Sequence, residues 1–529
     1  MRSLRRAARL APMLLSSVLA GSCAVAQSAP DSSTTVRLTV DAHAAATPFP
    51  HFWEQTFGSG RAILSLRDSY RIDLDKVHGI TGFDSVRFHG ILNDDVGLYD
   101  PDRKTKNPGL AAQDDPSAGG TVYNFSYIDQ IYDGLLAHHV RPFVELSFMP
   151  AKMASNPAAI HPFWYHPNTS PPKDYALWDG MITALAQHLI ARYGIEEVSH
   201  WNFEVWNEPN LDFWSGKPAQ ESYFKLYDHT ARDLKAVSAR IRVGGPATAQ
   251  AAWVGDFLKH CKDNNVPVDF ASTHVYANDT AENVMKIKED VPRDKMVCSA
   301  VKMVHDQIVG SPLPKTPLIM SEYNASYANE PAVTDSIYMG PWMATTISQC
   351  DGMTESMSYW SFSDVFEEQG VVRTPFYGGF GLMAEDNIPK PAFNVFAMLH
   401  GLGTERLKLD SDSAMLTRRA DGTLVMALWN YVAPTEPTTS DVAPAGAVRR
   451  FTLTLPGGAK QATIMRVDQD HGNVIKAFDA MGKPATPSRE QIKQLQQAGQ
   501  ASPAEHVAIR NHQLDLTIPP AGLVVLELK

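Results

Sequence analysis

A glutamate followed by proline, at the end of a run that reads as a strand, is the first feature of this sequence with a chemical consequence. The run is Trp201-Asn202-Phe203-Glu204-Val205-Trp206-Asn207-Glu208-Pro209-Asn210. Proline cannot continue a ladder, so it stops the strand and fixes the turn that presents the Glu208 carboxyl group. Held there and partly desolvated, that group would have the raised pKa of a general acid. Taken alone, the motif also fits a carboxylate in a loop salt bridge. A partner changes the balance: Leu318-Ile319-Met320-Ser321-Glu322-Tyr323-Asn324 ends an apolar strand on Glu322 in the same way. Two carboxyl groups facing across one pocket can protonate a leaving oxygen and attack an acetal carbon, and a gap of about 5–5.5 Å is what retention of configuration requires.

For both glutamates to face one pocket, the chain must bring their strands to a common mouth. Strand-like runs are expected at Phe52–Phe57, Ser85–His89, Pro142–Phe148, His200–Asn207, Arg242–Gly245, Asp269–Tyr276, Pro317–Tyr323 and Met357–Phe362. Between them, apolar residues at helical spacing mark helices, as in Tyr127-Ile128-Ile131-Leu135, Leu177-Met181-Leu185-Leu189 and Tyr223-Leu226-Tyr227-Leu234. Eight βα units predict an α/β fold, the (β/α)8 TIM barrel, over residues 45–403, with Glu208 after strand four and Glu322 after strand seven. Strand-like runs separated by Gly and Pro turns then predict an accessory β-sandwich domain over 404–529, with an exposed helical insert at Arg489–Ala498. The alternating segment Thr35–Val40, within 27–44, is expected to add a strand to that sandwich. Glu145 and Glu204 lie inside strands rather than at their ends and read as structural.

Residues 1–26 read as an export signal, with Arg2, Arg5, Arg6 and Arg9 before an apolar Leu10–Ala20 stretch and cleavage after Ala26. A lipid anchor at Cys23 is the alternative. The expected location is secreted or periplasmic, with no integral membrane span, since no later run is long and apolar enough. Losing those four arginines takes the formal charge from −11 to −15. So anionic a chain would be repelled by a polyphosphate backbone, which excludes nucleic acid as a partner. Apolar residues at 44% and charged residues at 20% are those of an ordinary globular protein. Cys261, Cys298 and Cys350 allow at most one disulfide and read as buried thiols. No Cys/His spacing indicates a metal site, and no cofactor is implied.

Several segments together resemble glycoside hydrolase family 39, whose members include β-xylosidases and α-L-iduronidases. They are Gly58-Ser59-Gly60-Arg61, Val86-Arg87-Phe88-His89-Gly90, Arg141–Pro150, Ser272-Thr273-His274-Val275-Tyr276, Ser358–Glu368 and Phe376–Leu382, beside the two glutamate motifs. The resemblance covers about residues 50–400. It implies a retaining barrel glycosidase acting on a glycan, with Glu208 as acid/base, Glu322 as nucleophile and Asn207 binding the sugar 2-hydroxyl. It places His89, His274 and Tyr276 as hydroxyl-binding groups, Trp360 as a flat floor for the ring, and Glu367 or Glu368 as acceptors. Iduronidase-like members carry a lysine where this chain has Tyr276, which points away from a uronic acid and toward a neutral pentose. Xylose ranks first and an arabinose-type glycan second. Arg373 departs from the β-xylosidase pattern and would read an acidic or branched substrate if it reached the pocket. A non-catalytic carbohydrate-binding protein would have no need of both glutamates.

Overall fold

The computed structural model describes residues 34–102, 122–435 and 445–529. The expected export signal and Cys23 lie outside the described residues.

Eight parallel strands close into a barrel in chain order. They are β1 (Thr56–Gly58), β2 (Ser85–Arg87), β3 (Arg141–Leu146), β4 (Asn202–Val205), β5 (Arg242–Thr248), β6 (Phe270–Tyr276), β7 (Leu318–Asn324) and β8 (Ser356–Tyr359). Each corresponds to one expected run, several ending two or three residues earlier. Those trimmed ends, at His89, Asn207 and Phe362, are the loops of the barrel mouth.

Helices follow the spacing that predicts them. Ser126–Ala137 buries Ile128, Ile131 and Leu135 and leaves Tyr127 exposed. Tyr175–Tyr193 buries Met181, Leu185 and Leu189, and the Asp174 carboxylate caps it by accepting from the Ala176 N–H. Each such fully buried aliphatic side chain contributes about 1.5–3 kcal/mol.

Inside the barrel, Phe143, Phe270 and Ile319 form a small apolar plug. Above it the interior turns polar, because residues two further along face the same way: Glu145 on β3, then Ser272, His274 and Tyr276 on β6.

Two register slips matter for the site. Between β6 and β7, Thr273 pairs with Met320 but His274 pairs with Glu322, leaving Ser321 as an extra residue. Between β5 and β6, Pro246 pairs with Ser272 and Thr248 with Thr273, leaving Ala247 extra, with φ 53°. Bulges of this kind re-aim side chains next to active sites.

Beside the barrel and a two-stranded ribbon of Met383–Ala384 with Ile388–Pro389, the described residues form two larger sheets. Thr34–Thr39, Arg449–Thr454 and Gln513–Ile518 form a three-stranded sheet, in which the N-terminal strand runs parallel to its neighbour. The other has seven strands and includes Ala46–Pro48. Its strand Leu424–Trp429 alternates between two cores. Leu424, Met426 and Leu428 face the small sheet, while Val425, Ala427 and Trp429 face the barrel. A strand buried on both faces has no polar side to show, which explains its unbroken apolar sequence.

Two expectations are corrected here. Cys298 and Cys350 are disulfide-bonded, with Cα atoms 5.1 Å apart, joining helices Arg293–Val309 and Met339–Cys350; only Cys261 is a buried thiol. Helix Arg489–Ala498 is not simply exposed. It buries Leu495 against Phe376, Ile388, Val474 and Phe478, and a Ser488/Gln491 capping box starts it.

Candidate active site

Glu208 and Glu322 meet over the barrel mouth, in a cavity of about 270 Å³ lined by His89, Asn207, Tyr276 and Trp360. One carboxylate oxygen of each lies within 4.8 Å of the other. That approach agrees with the close class of carboxyl pair, the one that works with retention of configuration.

Glu208 is aimed by strained backbone. Trp206 and Glu208 both have positive φ, 73° and 43°, a conformation that costs of order 1–3 kcal/mol for such residues. The turn is held by the Glu208 N–H donating to the Ala247 carbonyl at 2.8 Å, and by the Trp206 indole N–H donating to the Phe213 carbonyl at 2.9 Å. The bulge at Ala247 supplies the first of these acceptors. With only 12% of its side chain exposed, Glu208 has a pKa well above the ordinary value, first by burial and then by repulsion from Glu322 and Asp279. Its polar contact is His274 Nδ1 at 2.9 Å. Burial, with Arg87 and His89 nearby, pushes the His274 pKa well down, so this imidazole is neutral and shares a single proton with Glu208.

Glu322 has different surroundings. Oε1 accepts from Arg87 Nη1 at 2.6 Å and Oε2 from the Tyr276 hydroxyl at 2.7 Å. The same guanidinium donates from Nε to Glu204 at 2.6 Å and from Nη2 to Asn207 Oδ1 at 3.0 Å, and lies 2.7 Å from Glu145. Arg87 is fully buried. Burial alone would lower its pKa, but Glu145, Glu204 and Glu322 together raise it. Because Arg87 occupies the Oδ1 of Asn207, the Asn207 amide NH2 is the group left to face the cavity. His89 donates from Nδ1 to Glu145 at 2.7 Å, and its Nε2 lies 3.8 Å from Glu322 and 3.6 Å from Glu368. Burial opposes a charge on His89, and Glu145 outweighs it, so its pKa is raised.

Trp360 forms one wall, with the Arg87 guanidinium carbon 5.9 Å from its ring and the His89 ring 4.8 Å away. Gly58 on β1 is what lets it lie there, since a Cβ at that position would fall 2.1 Å from Trp360 Cε3.

Of the two candidate acceptors after β8, only Glu368 lines the cavity. Burial, added to by Glu322 and Glu145, raises its pKa to about 8 against the pull of His89. Glu367 is corrected: it turns away into ion pairs with Arg67 at 2.5 Å and Arg61 at 3.2 Å. Arg373 does not line the catalytic cavity but a neighbouring one.

Arg87 carries no role in the sequence reading although its motif is noted there, and it is the hub of the site. The signal was available: an arginine inside a barrel strand must be paired, and Glu145 and Glu204 inside other strands are the acids to pair it. The His89, Glu145 and Glu322 ligand atoms converge as they would around a metal ion, but Arg87 already stands at 2.7 and 2.6 Å from those two acids as their cation.

The family model for glycosyl hydrolases family 39 matches residues 36–513. The chain belongs to that family. As a family 39 member it is a glycoside hydrolase, and its barrel is the fold found in solved family 39 structures. A β-xylosidase of Geobacillus stearothermophilus is 39% identical over 460 residues, covering 85% of this chain and 86% of that protein. The crystal structure of a monomeric β-xylosidase from Caulobacter crescentus CB15 superimposes with a TM-score of 0.80 at 32% identity, covering 94% and 99%. Human α-L-iduronidase is 27% identical over 338 residues, 59% of this chain and 45% of that protein.

Proposed function

We propose that this protein is a secreted, exo-acting, retaining β-xylosidase that releases xylose from xylo-oligosaccharides, with Glu322 as nucleophile and Glu208 as acid/base. The observation that carries the reading is the unequal environment of two carboxyl groups within 4.8 Å. Glu322 has both oxygens fixed by donors, one of them a guanidinium, so one lone pair can be aimed at C1. Glu208 sits beside a neutral imidazole with its pKa raised, the state of an acid ready to donate.

In the first step Glu208 gives its proton to the leaving oxygen as the C1–O bond breaks and a Glu322 oxygen bonds to C1. In the second, Glu208 takes a proton from water, the hydroxide oxygen bonds to C1, and Glu322 leaves with the bonding pair. The Asn207 amide donates to the 2-hydroxyl, and Trp360 offers its face to the ring.

Xylose is supported by the similarity to β-xylosidases and by Tyr276, which contributes no cation and is engaged with Glu322. The Cys298–Cys350 disulfide supports an oxidising compartment beyond the cytosol. Release of 4-nitrophenol from the β-D-xylopyranoside, in preference to the α-L-arabinofuranoside and an iduronide, tests the reading. Turnover of none of them, or a preference for either of the others, would replace the sugar assignment.

A further inference from the structure

The catalytic cavity has a neighbour. Glu368, Gln369 and Phe380 belong to its wall and also to the wall of a second cavity of about 440 Å³. Trp164 and Arg373 line that second cavity and not the first.

Trp164 leaves 57% of its surface exposed, an uncommon state for the largest apolar side chain. It is nonetheless fixed. Its backbone N–H donates to the Glu368 carbonyl at 2.8 Å, and its ring rests on Gly370, where a Cβ would sit 3.5 Å from Trp164 Cε3. A flat aromatic face, held rigid and left open to water beside a cavity, is a platform for a ligand ring.

Arg373 supplies charge. Arg61, which lines a further cavity beside Trp164, and Arg67 are occupied by Asp95 and Glu367. Arg373 makes no ion pair or hydrogen bond among the described residues. In a chain whose net charge is −11, an unengaged guanidinium over a cavity selects for an anion, and its planar fork matches a carboxylate. The shared wall does not oppose this. Glu368, its one carboxyl group, has a pKa of about 8 and so is mostly neutral at pH 7.

We propose that the second cavity is an acceptor-side subsite for a carboxylate-bearing sugar, with Trp164 stacking on the ring and Arg373 binding the carboxylate. The substrate class is then a xylo-oligosaccharide that carries a uronic acid branch beside the xylose being released. This deepens the glycosidase reading above and rests on it.

The test compares kcat/KM for xylotriose with kcat/KM for xylotriose bearing a glucuronic acid branch on the unit next to the non-reducing end. Arg373→Gln should lower the acidic-to-neutral ratio about tenfold, through KM. In the parent enzyme added salt should lower the same ratio, because a rim charge is screened. A ratio untouched by Arg373→Gln, or both substrates slowed equally, would overturn the proposal. Calorimetric binding of the two oligosaccharides to Glu322→Gln, with and without Arg373→Gln, needs no turnover. If the parent cleaves neither sugar, the β-xylosidase reading fails, while tighter binding of the acidic sugar that depends on Arg373 still supports the subsite. Equal binding of both sugars overturns the subsite alone.

Discussion

Arg87 Nη1 stands 2.6 Å from Glu322 Oε1, and the same side chain reaches Asn207, Glu204 and Glu145. One guanidinium thus sets the angle of the proposed nucleophile and of the amide meant for the 2-hydroxyl. The Arg87→Lys variant keeps a charge but loses the fork, so kcat should fall by about 10², the usual cost of losing one preorganised donor. Arg87→Met leaves buried acids without their cation and should cost about 3–5 kcal/mol of stability. Steady-state kinetics and denaturant melts read the two effects separately, and a parental kcat in Arg87→Lys would remove the orienting role.

The division of labour between the glutamates has a chemical signature. With an activated xyloside and azide, Glu322→Ala should yield the glycosyl azide of inverted configuration and Glu208→Ala the retained one. NMR of the products distinguishes them. Near-parental rates in either variant without azide would sink the assignment.

Holding Glu208 with a raised pKa has a cost to folding that depends on pH. Above the unfolded carboxyl pKa the unfolded chain has lost this proton while the folded protein keeps it. Stability therefore falls as pH rises from the ordinary carboxyl range up to the raised folded value. Glu208→Gln removes that loss. It should melt at the same temperature as the parent near pH 4 and at a higher one near pH 8, and equal melting temperatures at both would contradict the burial of a neutral acid.

Cys298 and Cys350 close a loop spanning 52 residues, which the chain-entropy model values at about 4 kcal/mol. Reduction, or the double change to serine, should lower the melting temperature by several degrees while leaving 25 °C kinetics close to parental, since the bond joins two helices of the barrel's outer ring and neither cysteine lines the catalytic cavity. Calorimetry with and without reductant measures it.

The barrel and its two proposed catalytic residues were legible because they depend on local pattern: apolar runs counted to eight, and glutamates placed just where runs end. What was not legible depends on direction. Glu367 and Glu368 are neighbours of identical type, and only the loop's course decides that one faces the cavity and the other Arg61 and Arg67. Cys298 and Cys350 lie 52 residues apart, and nothing local to either shows that their helices turn the same face to each other. Arg87, Glu145 and Glu204 are a three-body arrangement, in which each looks anomalous alone and the set is balanced only once the barrel closes.

Ser321 shows where the margin lies. Strand β7 holds one residue more than its neighbour β6 can pair with, and the bulge absorbs that surplus so that Glu322 still stands opposite His274. If β7 kept Ser321 but ran in strict alternation, Glu322 would turn to the other face of the sheet, out toward the helices. Deleting Ser321 would instead bring Glu322 directly after Met320, in register with His274, on the inner face it already occupies. Along this strand a lineage could lose that one codon and still keep its carboxyl group at the mouth.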